Sequence, residues 1–328
     1  MEMLGSYELT GHLTSQNSGY SVWGFGKKNG KDYFIKQFLS PKYPANDTVS
    51  SPERLAKIKK KCARFENKKR ALYEQLNIHS DGNAVRIEEF FRVENKYYIT
   101  MRKIESLEWD VAAIQKLGDK QKRLLCAVIA HAVAGLHKAR IVHADLKHDN
   151  VLFMRCPSGF VTAKVIDFDS GFLETDPPSD GEEIVGDQVY FSPEACQTFM
   201  GMTPPLTCKM DIFALGVLFH QYFAGDLPGF DRTLGSCAGE VVAKGGKAMV
   251  REDLTPEIRE LLEEMLDADY QKRPTAVEVY ARLAGRDAAA VSAEMDAHER
   301  AMATPVFTPA PVASTTTTGN PFFKPGDL

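Results

Sequence analysis

The stretch His143-Ala-Asp145-Leu-Lys147-His-Asp-Asn150-Val-Leu-Phe places an aspartate, a lysine and an asparagine in one tight loop. Those residue types suit phosphoryl transfer. A carboxylate accepts the proton of an attacking hydroxyl, an ammonium neutralises charge growing on the transferred group, and an amide oxygen ligates Mg²⁺. On its own, the stretch also reads as a polar loop that stops a helix. A second stretch, Lys164-Val-Ile-Asp167-Phe-Asp169, ends an apolar run with a carboxylate, as a Mg²⁺ ligand requires. Its position shortly after Asn150 strengthens the first signal.

These side chains need elements to position them. Residues 6 to 38 read as β structure, with Asn29-Gly30 as the hairpin signal between two aromatic-rich runs. A helix is expected from Ser51 to about Leu76, with Leu55, Ile58, Cys62, Phe65, Leu72 and Leu76 near helical spacing. Strands follow around 85–93 and 96–104. The remainder reads as mostly helical. Residues 120–138 place Leu124, Leu125, Val128, Ala132 and Leu136 on one face. The run Asp211 to Phe223 is apolar nearly all round, which predicts a buried central helix. Thr255-Pro256 and Thr275-Ala-Val-Glu278 read as helix starts, the second as a capping box. After Gly285 the composition shifts. Residues 287–303 are Ala-rich, which allows a helical extension, and 304–328 are Pro/Thr-rich.

The chain has 328 residues, 40 Lys+Arg against 44 Asp+Glu, and a formal charge of -4. That near-balance argues against a general nucleic-acid or membrane-surface protein. The run Leu124 to Leu136 is too short to span a bilayer, and the N-terminus lacks a basic-then-apolar signal pattern. The six cysteines include no C-x-x-C pair, which points to reduced thiols in a cytoplasmic compartment.

Taken in order, the motifs resemble the eukaryotic-type (Hanks-type) Ser/Thr protein kinase family across about residues 8–284. The family's catalytic-loop pattern H-R-D-L-K-x-x-N reads HADLKHDN, its D-F-G reads DFD at 167–169, and its A-P-E reads Ser192-Pro193-Glu194. Its D-x-W-x-L-G reads Asp211-Ile-Phe-Ala-Leu-Gly216, and its late Arg-Pro-Thr reads Arg273-Pro274-Thr275. The resemblance implies an α+β, bilobal fold, with a β-rich lobe at 8–105 and a mostly helical lobe at 106–284; composition alone gives the expectation of a disordered Pro/Thr-rich tail at 285–328. The resemblance also implies ATP and Mg²⁺ as cofactors and protein hydroxyls as substrate. By the same resemblance Asp145 is the catalytic base, Lys147 stabilises the phosphoryl group, and Asn150 and Asp167 hold magnesium. Lys36 contacts the α- and β-phosphates and needs a helix glutamate as partner. Glu66 is preferred to Glu74, which leaves too little helix before the break at 78–80. Met101 corresponds to the gatekeeper beside the adenine pocket, and the hinge, with Lys103, runs from Arg102 to Glu105. Glu194 is expected to pair with Arg273, and Asp211 to accept from the catalytic-loop backbone.

Several positions depart from the family pattern and suggest a divergent, bacterial or phage-type member. The Gly-rich loop keeps only Gly19, with Tyr20 as a cap over the site. Ala144 replaces the arginine that clamps a phosphorylated segment, so that switch is absent. Asp169 replaces a glycine, restricting the backbone without removing a metal ligand. Asp187 replaces a threonine, with Lys147 as a candidate partner. Helix residues 54–70 are basic, and a solvated face is preferred to a docking patch for an acidic partner. His148 and His220 read as structural. Two alternatives compete with an active protein kinase: a pseudokinase scaffold that binds nucleotide, and a small-molecule kinase of the aminoglycoside type. Ser-Pro-Glu, the buried helix and Arg-Pro-Thr argue against the latter.

Overall fold

Asn29 and Gly30 both adopt positive φ, 52° and 71°, the conformation a two-residue hairpin turn demands. They join β3 (Ser21–Lys28) to β4 (Lys31–Phe38). The computed structural model describes residues 2–16, 21–45, 51–80, 82–157, 159, 161–179, 181 and 184–302. The hairpin is the middle of a six-stranded antiparallel sheet. Its other strands are β1 (Met3–Leu4), β2 (Tyr7–Leu9), β5 (Glu89–Val93) and β6 (Lys96–Arg102). The strand order is β1-β2-β3-β4-β6-β5. The register sets Lys36 between Trp23 on β3 and Ile99 on β6.

The long helix α1 (Pro52–His79) lies between β4 and β5 in sequence. Ser51 caps it by accepting the Arg54 N–H, and Pro52 starts the first turn, where a missing N–H costs nothing. Its buried stripe is Cys62, Lys69, Leu72, Tyr73 and Leu76. Most of its other basic residues face outward. Lys68 reaches Asp176 at 3.4 Å, and Arg64 donates to Ser179 Oγ at 3.4 Å.

The second half is built on α3 (Asp119–Lys138) and α5 (Lys209–Ala224), preceded by the short α2 (Val111–Gln115). Between α3 and α5 come β7 (Ile141–Val142), a 3₁₀ turn (His148–Asn150), β8 (Val151–Arg155), β9 (Val161–Val165), β10 (Phe172–Leu173), a second 3₁₀ turn (Gln188–Tyr190) and α4 (Pro193–Phe199). After α5 come α6 (Ala238–Ala243), α7 (Pro256–Met265), α8 (Ala276–Ala284) and α9 (Ala288–Met302). The architecture is the expected α+β pairing of a sheet-rich half with a helical half. Helix α5 is buried on every side, as its composition predicts, and each of its buried Phe and Leu side chains contributes about 1.5–3 kcal/mol. It ends at Gly225, whose φ of 91° is the left-handed stop a helix C-terminus favours.

Three expectations change. Leu124 is 53% exposed, because the buried stripe of α3 runs through Leu125, Ile129, Ala132, Val133 and Leu136, one residue round. Thr255 makes no capping bond; its hydroxyl accepts from Arg123 instead. The fold does not stop at 284. The Ala-rich segment forms α9 and packs on α8, with Val291 buried and Met295 against the main core. The disordered-tail expectation therefore fails over 288–302, and residues 303–328 lie outside the described part. Among the described residues every cysteine is unpaired, and no helix is long and apolar enough to cross a membrane.

Candidate active site

The catalytic-loop segment is suspended from α5. Asp211, 1% exposed in the first turn of that helix, accepts the His143 N–H at 2.8 Å and the Ala144 N–H at 2.9 Å. His137 Nε2 lies 3.0 Å from the same carboxylate. Ala144 has φ 64°, a left-handed backbone that costs a residue with a Cβ about 1–2 kcal/mol. The two bonds to Asp211 hold that conformation. His143 ties the loop to the strand behind it. Its Nε2 donates to Ile166 O at 2.9 Å, so its Nδ1 accepts the Asp145 N–H at 3.3 Å. Its ring lies 4.7 Å from that of Phe168.

Asp145 is held from three sides. Oδ1 accepts the Asp187 N–H at 2.8 Å, Oδ2 accepts Asn150 Nδ2 at 2.9 Å, and Lys147 Nζ stands 3.2 Å from Oδ2. Asn150 Nδ2 also donates to Asp145 O at 2.7 Å. Both partners are oxygens, which fixes the amide orientation and leaves Asn150 Oδ1 as the acceptor on offer. The expected Asp187–Lys147 pair does not form. The Asp187 carboxylate caps its own turn by accepting the Val189 N–H at 3.0 Å, and Lys147 pairs with Asp145.

Lys36 is 8% exposed and its Nζ meets two carboxylates. It lies 2.8 Å from both Asp167 oxygens and 2.8 Å from Asp169 Oδ2. Burial opposes its charge, but Asp169 and Asp167 outweigh burial and raise its pKa. Burial also opposes the charge of Asp167, yet Lys36 holds that carboxyl below its ordinary range. Asp169 is pushed up by burial and by the neighbouring Asp167. The expected glutamate is elsewhere. Glu66 accepts the Tyr97 hydroxyl at 2.6 Å, on the side of α1 that meets β6, and Glu74 is exposed. The helix instead presents Lys69, which donates to Phe168 O at 3.3 Å and to Asp169 O. Burial lowers the Lys69 pKa to about 8.

A crevice of about 460 Å³ gathers these groups. Lys36, Asp145, Lys147, Asn150, Asp167 and Asp169 line it together, along with Trp23 and Phe34. The Trp23 and Phe34 rings stack at 5.6 Å. Met101, buried on β6, is the cross-strand neighbour of Phe34 but is not part of the lining, and neither is Lys103. The Lys103 N–H donates to Asp32 O at 3.1 Å. Gly19 and Tyr20 lie outside the described residues. Asp167 and Asn150 supply hard oxygen donors on one wall, a set that fits magnesium.

Below the crevice, Arg273 and Glu194 form a bidentate pair at 2.7 and 3.1 Å, nearly closed to solvent. Arg273 also donates to Asp267 O and Lys209 O and sits over the Phe213 ring. His148 bonds Tyr222 OH and Trp109 O, and His220 bonds Asp226 O and the Arg251 N–H, so both are structural.

Residues 40–282 match the protein kinase domain. The chain belongs to the protein kinase family. It is 26% identical over 286 residues to the serine/threonine-protein kinase TOUSLED of Arabidopsis thaliana, covering 80% of this chain and 40% of that one. It is 28% identical over 214 residues to CBL-interacting protein kinase 1 of Oryza sativa subsp. japonica, covering 64% and 44%. To serine/threonine-protein kinase PAK 4 of Mus musculus it is 24% identical over 246 residues, covering 71% and 38%. The chain spans less than half the length of these relatives. The kinase match begins after Lys36, so that lysine is placed by the geometry of β4 and the crevice.

Sequence reasoning on this kinase missed Lys69, Asp169, Trp23 and Phe34 as site residues. The signal for Lys69 was available. It falls seven residues after Cys62 and three, four and seven before Leu72, Tyr73 and Leu76, inside the apolar stripe of α1. A lysine in that stripe needs a partner.

Proposed function

We propose that this protein kinase transfers the γ-phosphoryl group of Mg-ATP to Ser/Thr hydroxyls of protein substrates. The observation that carries this is the convergence of Lys36, Asp145, Lys147, Asn150 and Asp167 on one crevice. Asp145 orients the attacking hydroxyl and accepts its proton. The Asn150 and Asp187 bonds fix its rotamer, so little reorganisation is needed at the moment of attack. Lys147, beside Asp145, offsets charge that grows on the transferred group. Lys36 binds the nucleotide phosphates from the sheet side. Asn150 Oδ1 and the Asp167 carboxylate would hold magnesium, which neutralises phosphate charge when bound. The stacked Trp23 and Phe34 rings offer the purine base an aromatic surface.

The test is phosphoryl transfer from labelled ATP to the protein itself and to a generic basic protein. Wild type incorporates label, while Asp145→Ala and Asp167→Ala lose roughly a hundredfold or more in rate. Equal incorporation by all three proteins overturns the proposal. A nucleotide-binding scaffold is the second reading. It is favoured by Ala144 and Asp187, which stand where the family pattern has an arginine and a threonine. ATP binding without transfer by wild type decides for it.

A further inference from the structure

In the resemblance set out above, the phosphate-binding lysine is held by a glutamate on the long helix. Here α1 brings a lysine to that place, and the carboxylate stands on the other partner. Asp169 Oδ2 is 2.8 Å from Lys36 Nζ, while Lys69 Nζ donates to the backbone oxygens of Phe168 and Asp169. The connection from helix to strand therefore runs from Lys69 through the 168–169 backbone and the Asp169 side chain to Lys36. Charge is balanced within the cluster, two ammoniums against the two carboxylates of Asp167 and Asp169. Asp169 Oδ1 is buried without a hydrogen-bond partner, so this carboxylate is held by Lys36 through Oδ2 and by the field of Lys69. A glycine at 169 would still offer its carbonyl to Lys69 but no carboxylate to Lys36.

The division of labour between the two aspartates follows from their chemistry. If Asp167 gives its oxygens to magnesium, it gives up contacts with Lys36. Asp169 is the carboxylate that then keeps Lys36 in place. We propose that Asp169 is the positioning residue for Lys36, and that Lys69 anchors it to α1 in place of the helix glutamate. The nucleotide-binding consequence rests on the function proposed above; the placement of Lys36 does not.

The experiment therefore has two readouts. The first is acylation of Lys36 by a water-soluble activated ester in nucleotide-free protein, followed by peptide mass spectrometry. The second is Mg-ATP binding, with kcat and KM measured alongside. Asp169→Asn is expected to speed Lys36 acylation severalfold, because the ammonium loses the charge-assisted contact at 2.8 Å with Asp169 Oδ2 that holds it in the crevice. It is expected to weaken Mg-ATP binding roughly tenfold or more. Glu66→Gln, on a residue the structure takes out of the site, changes both by less than about twofold. The swap Lys69→Glu with Asp169→Gly returns the carboxylate to the helix and brings both readouts back toward wild type. The inference is overturned if Asp169→Asn labels and binds like wild type, or if Glu66→Gln matches it. It is also overturned if the swap melts like wild type yet labels as fast as Asp169→Asn. A wild type that binds no Mg-ATP ends the functional proposal, and the labelling comparison still decides the role of Asp169.

Discussion

Asp211 accepts the backbone N–H of Ala144 at 2.9 Å, so a carboxylate in the core of the helical half holds a left-handed residue beside Asp145. Asp211→Ala leaves the His143 and Ala144 donors without partners, each at about 1–3 kcal/mol. Urea denaturation is expected to show a loss of that size, and phosphoryl transfer falls with it as the loop loses its geometry. Ala144→Gly relieves the left-handed strain and is expected to stabilise the fold by up to about 1 kcal/mol. A destabilised Ala144→Gly protein would refute the strain assignment.

The Glu194–Arg273 pair is buried on both sides. Glu194→Gln strands a guanidinium that still bonds only backbone oxygens, and is expected to cost about 3–5 kcal/mol in chemical denaturation. Replacing both residues, as in Glu194→Leu with Arg273→Met, removes the stranded charge. The pair of changes is expected to cost clearly less than the two single changes added together. Additive losses would show that the two groups do not interact.

Lys69 gives a pH dependence whose sign follows from its surroundings. Its folded pKa, about 8, lies below the ordinary lysine value of 10.5 because it is buried. Below pH 8 both folded and unfolded chains carry the proton, and the full penalty of a buried ammonium is present. Between pH 8 and 10.5 the unfolded chain binds more protons, so stability rises with pH, by at most about 3 kcal/mol. The stability of wild type minus that of Lys69→Met is expected to rise across that window, measured by denaturation at a series of pH values. A flat difference would mean that Lys69 stays charged.

The aromatic wall of the crevice separates binding of the base from binding of the phosphates. Trp23→Ala removes one of two stacked rings and is expected to weaken ATP binding by about 1–3 kcal/mol. Tripolyphosphate, which has no base, is expected to bind wild type and variant alike in competition titrations. An equal loss for both ligands would assign Trp23 to shaping the phosphate end.

Local chemistry made much of this fold legible. The Asn29-Gly30 turn, the Thr275–Glu278 capping box and the all-apolar α5 each carry their own cause, and each appears where its residues demand. That Asp145, Lys147 and Asn150 share one crevice was legible because one loop carries all three, and Asp167 joins them because the β8–β9 pairing returns the chain beside Asn150. The expected Glu194–Arg273 and Asp211–loop pairings form, but the helix partner of Lys36 was not legible. The choice between Glu66 and Glu74 assumed that a buried lysine on β4 must meet a helix carboxylate, and α1 offered several. The packing of Cys62, Leu72 and Leu76 fixes the rotation of α1, and that rotation turns Glu66 to Tyr97 and Lys69 inward. Asp187 misled for a similar reason: its own turn offered a nearer N–H than the Lys147 ammonium. The aromatic wall was missed because each ring alone reads as an ordinary strand residue.

Helix α9 sets where a recombinant fragment of this protein can be cut. Val291 is 1% exposed and Met295 leans on the main core, while Lys138 and Asp296 join α3 to α9. Cleaving the gene product after Ala284 would leave an oily scar on the underside of the helical half, inviting self-association. A fragment carried through Met302 keeps that scar covered.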